Sequence, residues 1–140
     1  MAAGFLLDTT VVSELRKSRP DPRVSAWWAS QRGADAYISA LVVGELRQGV
    51  ERLRSRHDLT QAEALDSWLT GLVHHYGDNV LPVTAQIAET WGRLDAAPDR
   101  PPVIDGLMAA TALVHGLTLV TRNVADVERA GVAYVNPFEA

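Results

Sequence analysis

The sequence predicts an α/β domain on a mostly parallel sheet, and three observations carry that prediction. Short apolar runs of strand length alternate with longer stretches of helical periodicity along the 140 residues. One late helical stretch, "DGLMAATALVHG" (105–116), is apolar almost all round, as a helix is at the centre of a domain. The composition, 47% hydrophobic and 21% charged, is that of an ordinary globular chain.

The elements follow in order. "GFLLD" (4–8) reads as a short buried strand, and Thr9 or Thr10 is placed to cap the helix that follows, "VVSELRK". "DPRVSAWWASQ" (21–31) reads as a helix and "AYIS" (36–39) as a strand. Ser39 then caps a long helix through Arg54, with Val42, Leu46, Val50 and Leu53 along one stripe. A further helix covers "TQAEALDSWLTGLVHHY" (60–76). "NVLPV" (79–83) is strand-like, with Pro82 suited to an edge or a strand end. "TAQIAETWGRLDAA" (84–97) spaces Ile87, Trp91 and Leu94 as a helix does. The Ala-rich helix is stopped by Gly116 as its C-terminal cap, and "LTLVT" (117–121) and "VAYVN" (132–136) close the sheet. "APDRPP" (97–102) is a loop before a helix, too short to divide domains, so the expectation is one domain over 1–140. Trp68 and Trp91 fall in apolar patterns and are assigned to the core. Trp27 and Trp28 are helical neighbours that must point apart, so one of them is exposed.

Composition removes several classes of function. There is no cysteine, which excludes disulfides and thiolate-held metals. No stretch approaches the length of a membrane span and none resembles a leader, so a soluble, cytoplasmic protein is expected. The formal charge of −4 argues against indiscriminate nucleic-acid binding. The basic residues, only one of them lysine, nevertheless cluster in "RKSRPDPR" (16–23) and "RQGVERLRSRH" (47–57), either as solvated helix faces or as a local basic rim.

Four acids stand out by position. Asp8 ends a strand, where an unpaired charge has little structural purpose. Glu45 lies in the early turns of the long helix, Asp105 opens the Ala-rich helix, and Asp126 follows the strand "LTLV". Strand C-termini and the helix N-termini after them share one edge of a parallel sheet, the edge at which such sheets bind ligands. That shared edge permits the four to converge. Converging carboxylates need a cation, and oxygen-only donors suit Mg²⁺ or Mn²⁺, ions that support phosphodiester hydrolysis. Each acid also has a purely structural reading. Asp105 and Asp126 would cap helices, the latter the turn "VERAG", and Glu45 would pair with Arg47 or Arg52.

At these residues the sequence resembles a known family. "LLDTTVVSELRK", "ISALVVGELRQGVERL", "IDGLMAATALVHGLTLVTRNVADV" and "VNPFE", in this order, are similar to the PIN domain of VapC-type toxins, the ribonucleases of bacterial toxin–antitoxin pairs. The resemblance covers Phe5 to Glu139. It implies a three-layer α/β/α sandwich, a homodimer, and RNA cleavage by Mg²⁺ or Mn²⁺ held on an acidic quartet that falls on Asp8, Glu45, Asp105 and Asp126. It also implies a cognate antitoxin that blocks the groove. The family's supporting polar residues match Thr9, Thr121 and Asn123. Two positions depart from the pattern: Thr10 stands where asparagine is common, and Val127 where an aromatic often follows the last acid. Neither removes a carboxylate.

Phosphoaspartate enzymes are the nearest rivals by chemistry, but they need a lysine by the phosphoryl group. The one lysine, Lys17, lies just behind the first strand. A PIN-like module that binds RNA or protein without cutting is the remaining alternative. Four intact acids argue against it.

Overall fold

The computed structural model describes residues 4–31, 33–96 and 101–139. Strands form where the apolar runs are too short for a helix: β1 (Phe5–Leu7), β2 (Ala36–Ser39), β3 (Val80–Leu81), β4 (Thr118–Val120) and β5 (Tyr134–Val135). The longer periodic stretches become helices α1 (Thr9–Arg16), α2 (Pro22–Ser30), α3 (Ala40–Ser55), α4 (Leu59–Tyr76), α5 (Ala85–Leu94), α6 (Val103–His115) and α7 (Val124–Glu128).

The five strands are parallel, in the order β3-β2-β1-β4-β5. Leu6 is flanked by Tyr37 on one side and Leu119 on the other. The chain steps from β1 outward to β3 and then crosses back to β4 on the far side of β1. Right-handed crossovers in opposite lateral directions put their helices on opposite faces. One layer therefore holds α1 to α4 and the other α5 to α7, in keeping with the close packing of α3 on α4 and of α5 on α6. This is the α/β/α sandwich that the sequence predicts. The reversal of direction lies between β1 and β4, so the crevice for a ligand opens beyond Leu7 and Val120.

Several boundaries move. The helix after β1 is capped by Asp8, not by Thr9 or Thr10: its carboxylate accepts from the Val11 N–H at 2.9 Å. The structure thus gives the strand-end acid a structural role beside any other, and frees Thr9 for a second bond. β3 stops at Leu81 because Pro82 has no N–H with which to extend the ladder, and it is an edge strand, as Pro82 suggested. Helix α6 starts at Val103, two residues before Asp105, so Asp105 sits in the first turn and caps nothing. Ser39 caps α3 as expected, accepting from the Leu41 N–H at 3.0 Å, and Gly116 ends α6 at φ 65°, a left-handed conformation that costs glycine little. Of the "APDRPP" loop, residues 97–100 lie outside the described residues.

The core is built from Leu6, Leu7, Ile38 and Val120 of the sheet, the predicted α3 stripe Val42, Leu46 and Val50, and Met108, Ala109 and Ala112 of α6. Trp27 packs edge-to-face on Phe5 at 5.2 Å, while its neighbour Trp28 is 38% exposed. Trp68 and Trp91 are half-buried rather than enclosed, Trp68 beneath the Arg16 guanidinium. Trp91 and the buried Asp95 close over Gly106, where the first turn of α6 meets the end of α5. A Cβ on Gly106 would lie 2.7 Å from Asp95 Oδ2 and 2.9 Å from Trp91 Cδ1. Gly106→Ala is therefore expected to destabilise the fold by about 1–3 kcal/mol, the usual cost of overpacking. Urea unfolding of the two proteins measures it; equal midpoints would show that the junction relaxes freely.

Candidate active site

Each polar group at the crevice is positioned by an element that ends or begins there. Asp8 follows β1 and its backbone N–H bonds Val120 O at 3.1 Å, which locks the two strand ends together. Thr121 follows β4 and is buried, and its hydroxyl donates to Asp8 Oδ2 at 2.5 Å. With Val11 N–H on Oδ1, both Asp8 oxygens are held. The Thr121 hydroxyl oxygen in turn accepts from Asn123 N–H at 3.1 Å, and the Asn123 side chain donates to Asp126 Oδ2 at 2.6 Å. Across the sheet, Thr9 at the start of α1 donates to Glu45 Oε1 at 2.5 Å and so ties α3 to α1.

These bonds remove two of the structural readings left open by the sequence. Glu45 does not pair with Arg47 or Arg52; Arg47 instead bonds Asp66 at 2.9 Å. Asp126 does not cap a turn at "VERAG", because α7 begins at Val124 and Asn123 occupies the cap position. Asp8 and Asp105 line one cleft with Thr121, Asn123, Met108, Leu119 and Val127.

Charge couples the four. Burial, foremost, raises the Asp8 carboxyl above its ordinary value; Thr121 and the Val11 N–H pull it back, and the charges of Asp105 and Glu45 raise it further. Burial also leads in raising Asp105, followed by the charges of Asp126 and Glu45, with Asn123 opposing. Asp105 thus feels both Glu45 and Asp126, and Asp8 feels both Asp105 and Glu45. The donors that offset the shifts are neutral.

Two part-buried acids in one cleft, each pushed up by its burial and by neighbouring acids, form a site that favours a cation. The donors are all oxygen, which selects a hard ion. Among the described residues no three acidic or histidine side chains stand close enough to enclose an ion by themselves. The arrangement therefore fits an ion that keeps several waters and takes few carboxylates directly, as Mg²⁺ does, and not a closed protein cage.

A family model described as "PIN domain" matches residues 5–131. This chain belongs to the PIN-domain family. It is 36% identical over 141 residues to the VapC ribonuclease Y4jK of Sinorhizobium fredii, covering 96% of this chain and 98% of that one. To toxin FitB of Neisseria gonorrhoeae it is 37% identical over 143 residues, with the same coverage. A crystal structure of FitAcB from Neisseria gonorrhoeae superposes with a TM-score of 0.87 at 32% identity, covering 97% of this chain and 99% of that one. These likenesses span nearly the whole PIN domain described here, including every element that supplies a group to the cleft. Sequence reading named the polar groups of the site but missed the apolar wall, Met108, Leu119 and Val127. Nothing in their pattern separates a cleft-lining residue from a core one.

Proposed function

We propose that the chain is the ribonuclease toxin of a VapC-type toxin–antitoxin pair, hydrolysing RNA with a divalent ion, Mg²⁺ or Mn²⁺, held at Asp8, Glu45, Asp105 and Asp126. The observation that carries this reading is that part-buried Asp8 and Asp105 line one cleft at the topological switch point, Asp8 raised further by Asp105 and Glu45 and Asp105 by Asp126 and Glu45. Relatives named as ribonuclease and as toxin, alike over almost the full chain, support it. When bound, a hard divalent ion supplies a water of lowered pKa and offsets charge on the phosphodiester.

The chain's own groups prepare that chemistry. Asp8 and Asp105 are the inner pair, desolvated and so the most strongly relieved by a cation. Thr121 and the Val11 N–H fix both Asp8 oxygens in one orientation. Thr9 orients Glu45, and Asn123 orients Asp126 from the loop after β4. The apolar wall of Met108, Leu119 and Val127 limits water on the core side of the cleft. An acidic cleft of this kind also suits inhibition by an antitoxin arginine, whose guanidinium bonds carboxylates in a fork. A solved structure of FitAB bound to a DNA fragment, 29% identical to this chain, supports a partnered assembly, and a homodimer of this chain within a similar complex is part of the proposal.

The test is cleavage of total bacterial RNA by purified protein with Mg²⁺ or Mn²⁺, beside EDTA and Asp8→Asn controls. Discrete fragments that vanish in both controls support the reading. No cleavage by folded protein freed of any co-purified partner would overturn it in favour of a binding module. Thr121→Val keeps the shape but removes the donor to Asp8 and the acceptor for Asn123. A roughly 10- to 100-fold loss of cleavage is expected, the usual effect of losing a group that orients a ligand. Wild-type rates at limiting metal would show that Thr121 serves only the fold.

A further inference from the structure

The arginine-rich stretch of α3 is sorted by the fold into two sets. Arg47 and Arg54 face α4, where both bond Asp66, at 2.9 and 2.7 Å. Arg54 also pairs with Glu51 at 2.6 Å, and Arg47 approaches the same carboxylate at 3.6 Å. These two are spent on the α3–α4 contact, and they neutralise Glu51. Arg52 and Arg56 are exposed and form no ion pair among the described residues. With Gln48, Ser55 and the paired Arg47 and Glu51 they line an open groove of about 590 Å³ along the helix.

Helical spacing relates this groove to the active site. Arg52 and Arg56 follow Glu45 by seven and eleven residues, within about 20° of the same azimuth, and so lie roughly 10 and 16 Å farther along one ridge. An acidic cleft that receives a phosphodiester repels the rest of the strand, and the chain as a whole carries −4. Free guanidiniums in line with one of the cleft's acids offset that repulsion where the strand leaves the site. Gln48 and Ser55, about 60° and 80° to one side of that azimuth, add neutral donors beside the line. The negative end of α3 accounts for basic residues in its last turn, where both Arg52 and Arg54 stand. It does not account for both unpaired arginines, Arg52 and Arg56, standing at the azimuth of Glu45.

We propose that the Gln48–Arg52–Arg56 ridge of α3 is a backbone-binding track for single-stranded RNA flanking the scissile phosphate. This inference rests on the ribonuclease reading above. The partner it implies is a strand held through its phosphates, which gives affinity without base preference.

The test measures anisotropy of a fluorescein-labelled single-stranded RNA 12-mer (about the site size of such surfaces). It uses the Asp8→Asn protein in EDTA, so that no strand is cut. Adding Arg52→Gln and Arg56→Gln is expected to raise the dissociation constant about tenfold near 0.1 M salt. It should also make the log–log salt dependence shallower by about 1.4, or 0.7 per lost phosphate contact. Arg93→Gln, in the opposite helix layer, should change neither; matching melting curves establish that the variants are folded. If wild-type protein cuts RNA and the double variant keeps the parent affinity and slope, the track is wrong and the ribonuclease stands. If the parent binds no RNA and wild type cuts none, the track falls together with the reading beneath it. Unchanged RNA binding with weakened binding of a poly-glutamate peptide would overturn the track in favour of an acidic protein partner.

Discussion

Asp8→Asn is expected to lower RNA cleavage by on the order of a thousandfold or more, while leaving the fold intact. The exchange keeps size and shape but removes the charge of the most buried acid in the cleft. It also replaces an acceptor-only carboxylate, whose Oδ2 accepts from Thr121 and whose Oδ1 accepts from Val11 N–H, with an amide that presents one acceptor oxygen. Electrostatic assistance of several kcal/mol is lost with the ligand, and each 1.36 kcal/mol is a decade in rate. Glu45→Gln and Asp105→Asn should behave alike, because each belongs to the same coupled set. In the absence of metal the same variants should be no less stable than wild type, since each removes repulsion among uncompensated carboxylates. Single-turnover cleavage of a labelled RNA, with thermal unfolding in EDTA, measures both halves. Retained cleavage in two of the three variants would sink the assignment of the quartet.

EDTA should abolish cleavage, Mg²⁺ or Mn²⁺ should restore it, and the ion should raise the melting temperature more at neutral than at acid pH. The sign follows from the two raised carboxyls. A folded-state pKa above the ordinary 3.8 of Asp8 and Asp105 means that the folded chain holds protons more tightly than the unfolded chain. Their contribution to stability is then fully present below 3.8 and is lost as pH rises through the raised values. These two acids therefore favour the metal-free fold more as pH falls towards that window, against the opposite trend of the ion-paired Glu14, Asp21 and Asp66. A cation needs the deprotonated acids, so its effect runs the other way and grows with pH. Cleavage should rise with pH across the same range. Melting scans at several pH values, with and without 5–10 mM ion (about the concentration that saturates a weak hydrated site), report the crossing. A metal-free difference in melting temperature, wild type minus Asp8→Asn, that grows from acid to neutral pH would contradict the raised Asp8 carboxyl. A metal-induced rise of equal size at every pH would place the ion elsewhere.

The sequence alone determined the α/β class, the parallel sheet and the edge on which the four acids lie. Each rests on local information: strand-length apolar runs, the 3.6-residue stripe of Val42, Leu46 and Val50, a proline that ends β3, and the Gly116 stop after α6. It also singled out the acids as candidates, because strand ends and first helical turns are visible in the pattern, whereas Thr9, Thr121 and Asn123 are named as site residues only through the family resemblance. Tertiary structure decided what those groups touch. That Asp8 rather than Thr9 caps α1 depends on backbone angles at a strand end. That Thr9 then reaches Glu45, 36 residues away, and Thr121 reaches Asp8, 113 residues away, depends on β1 lying between β2 and β4. The division of the α3 arginines has the same origin. All four are charged residues on one helix, and only the position of Asp66 on the packed α4 separates the two that hold the fold together from the two left facing solvent. Local propensity is written in neighbouring residues, whereas pairing between distant polar groups is fixed only when the strand order brings their elements to one edge.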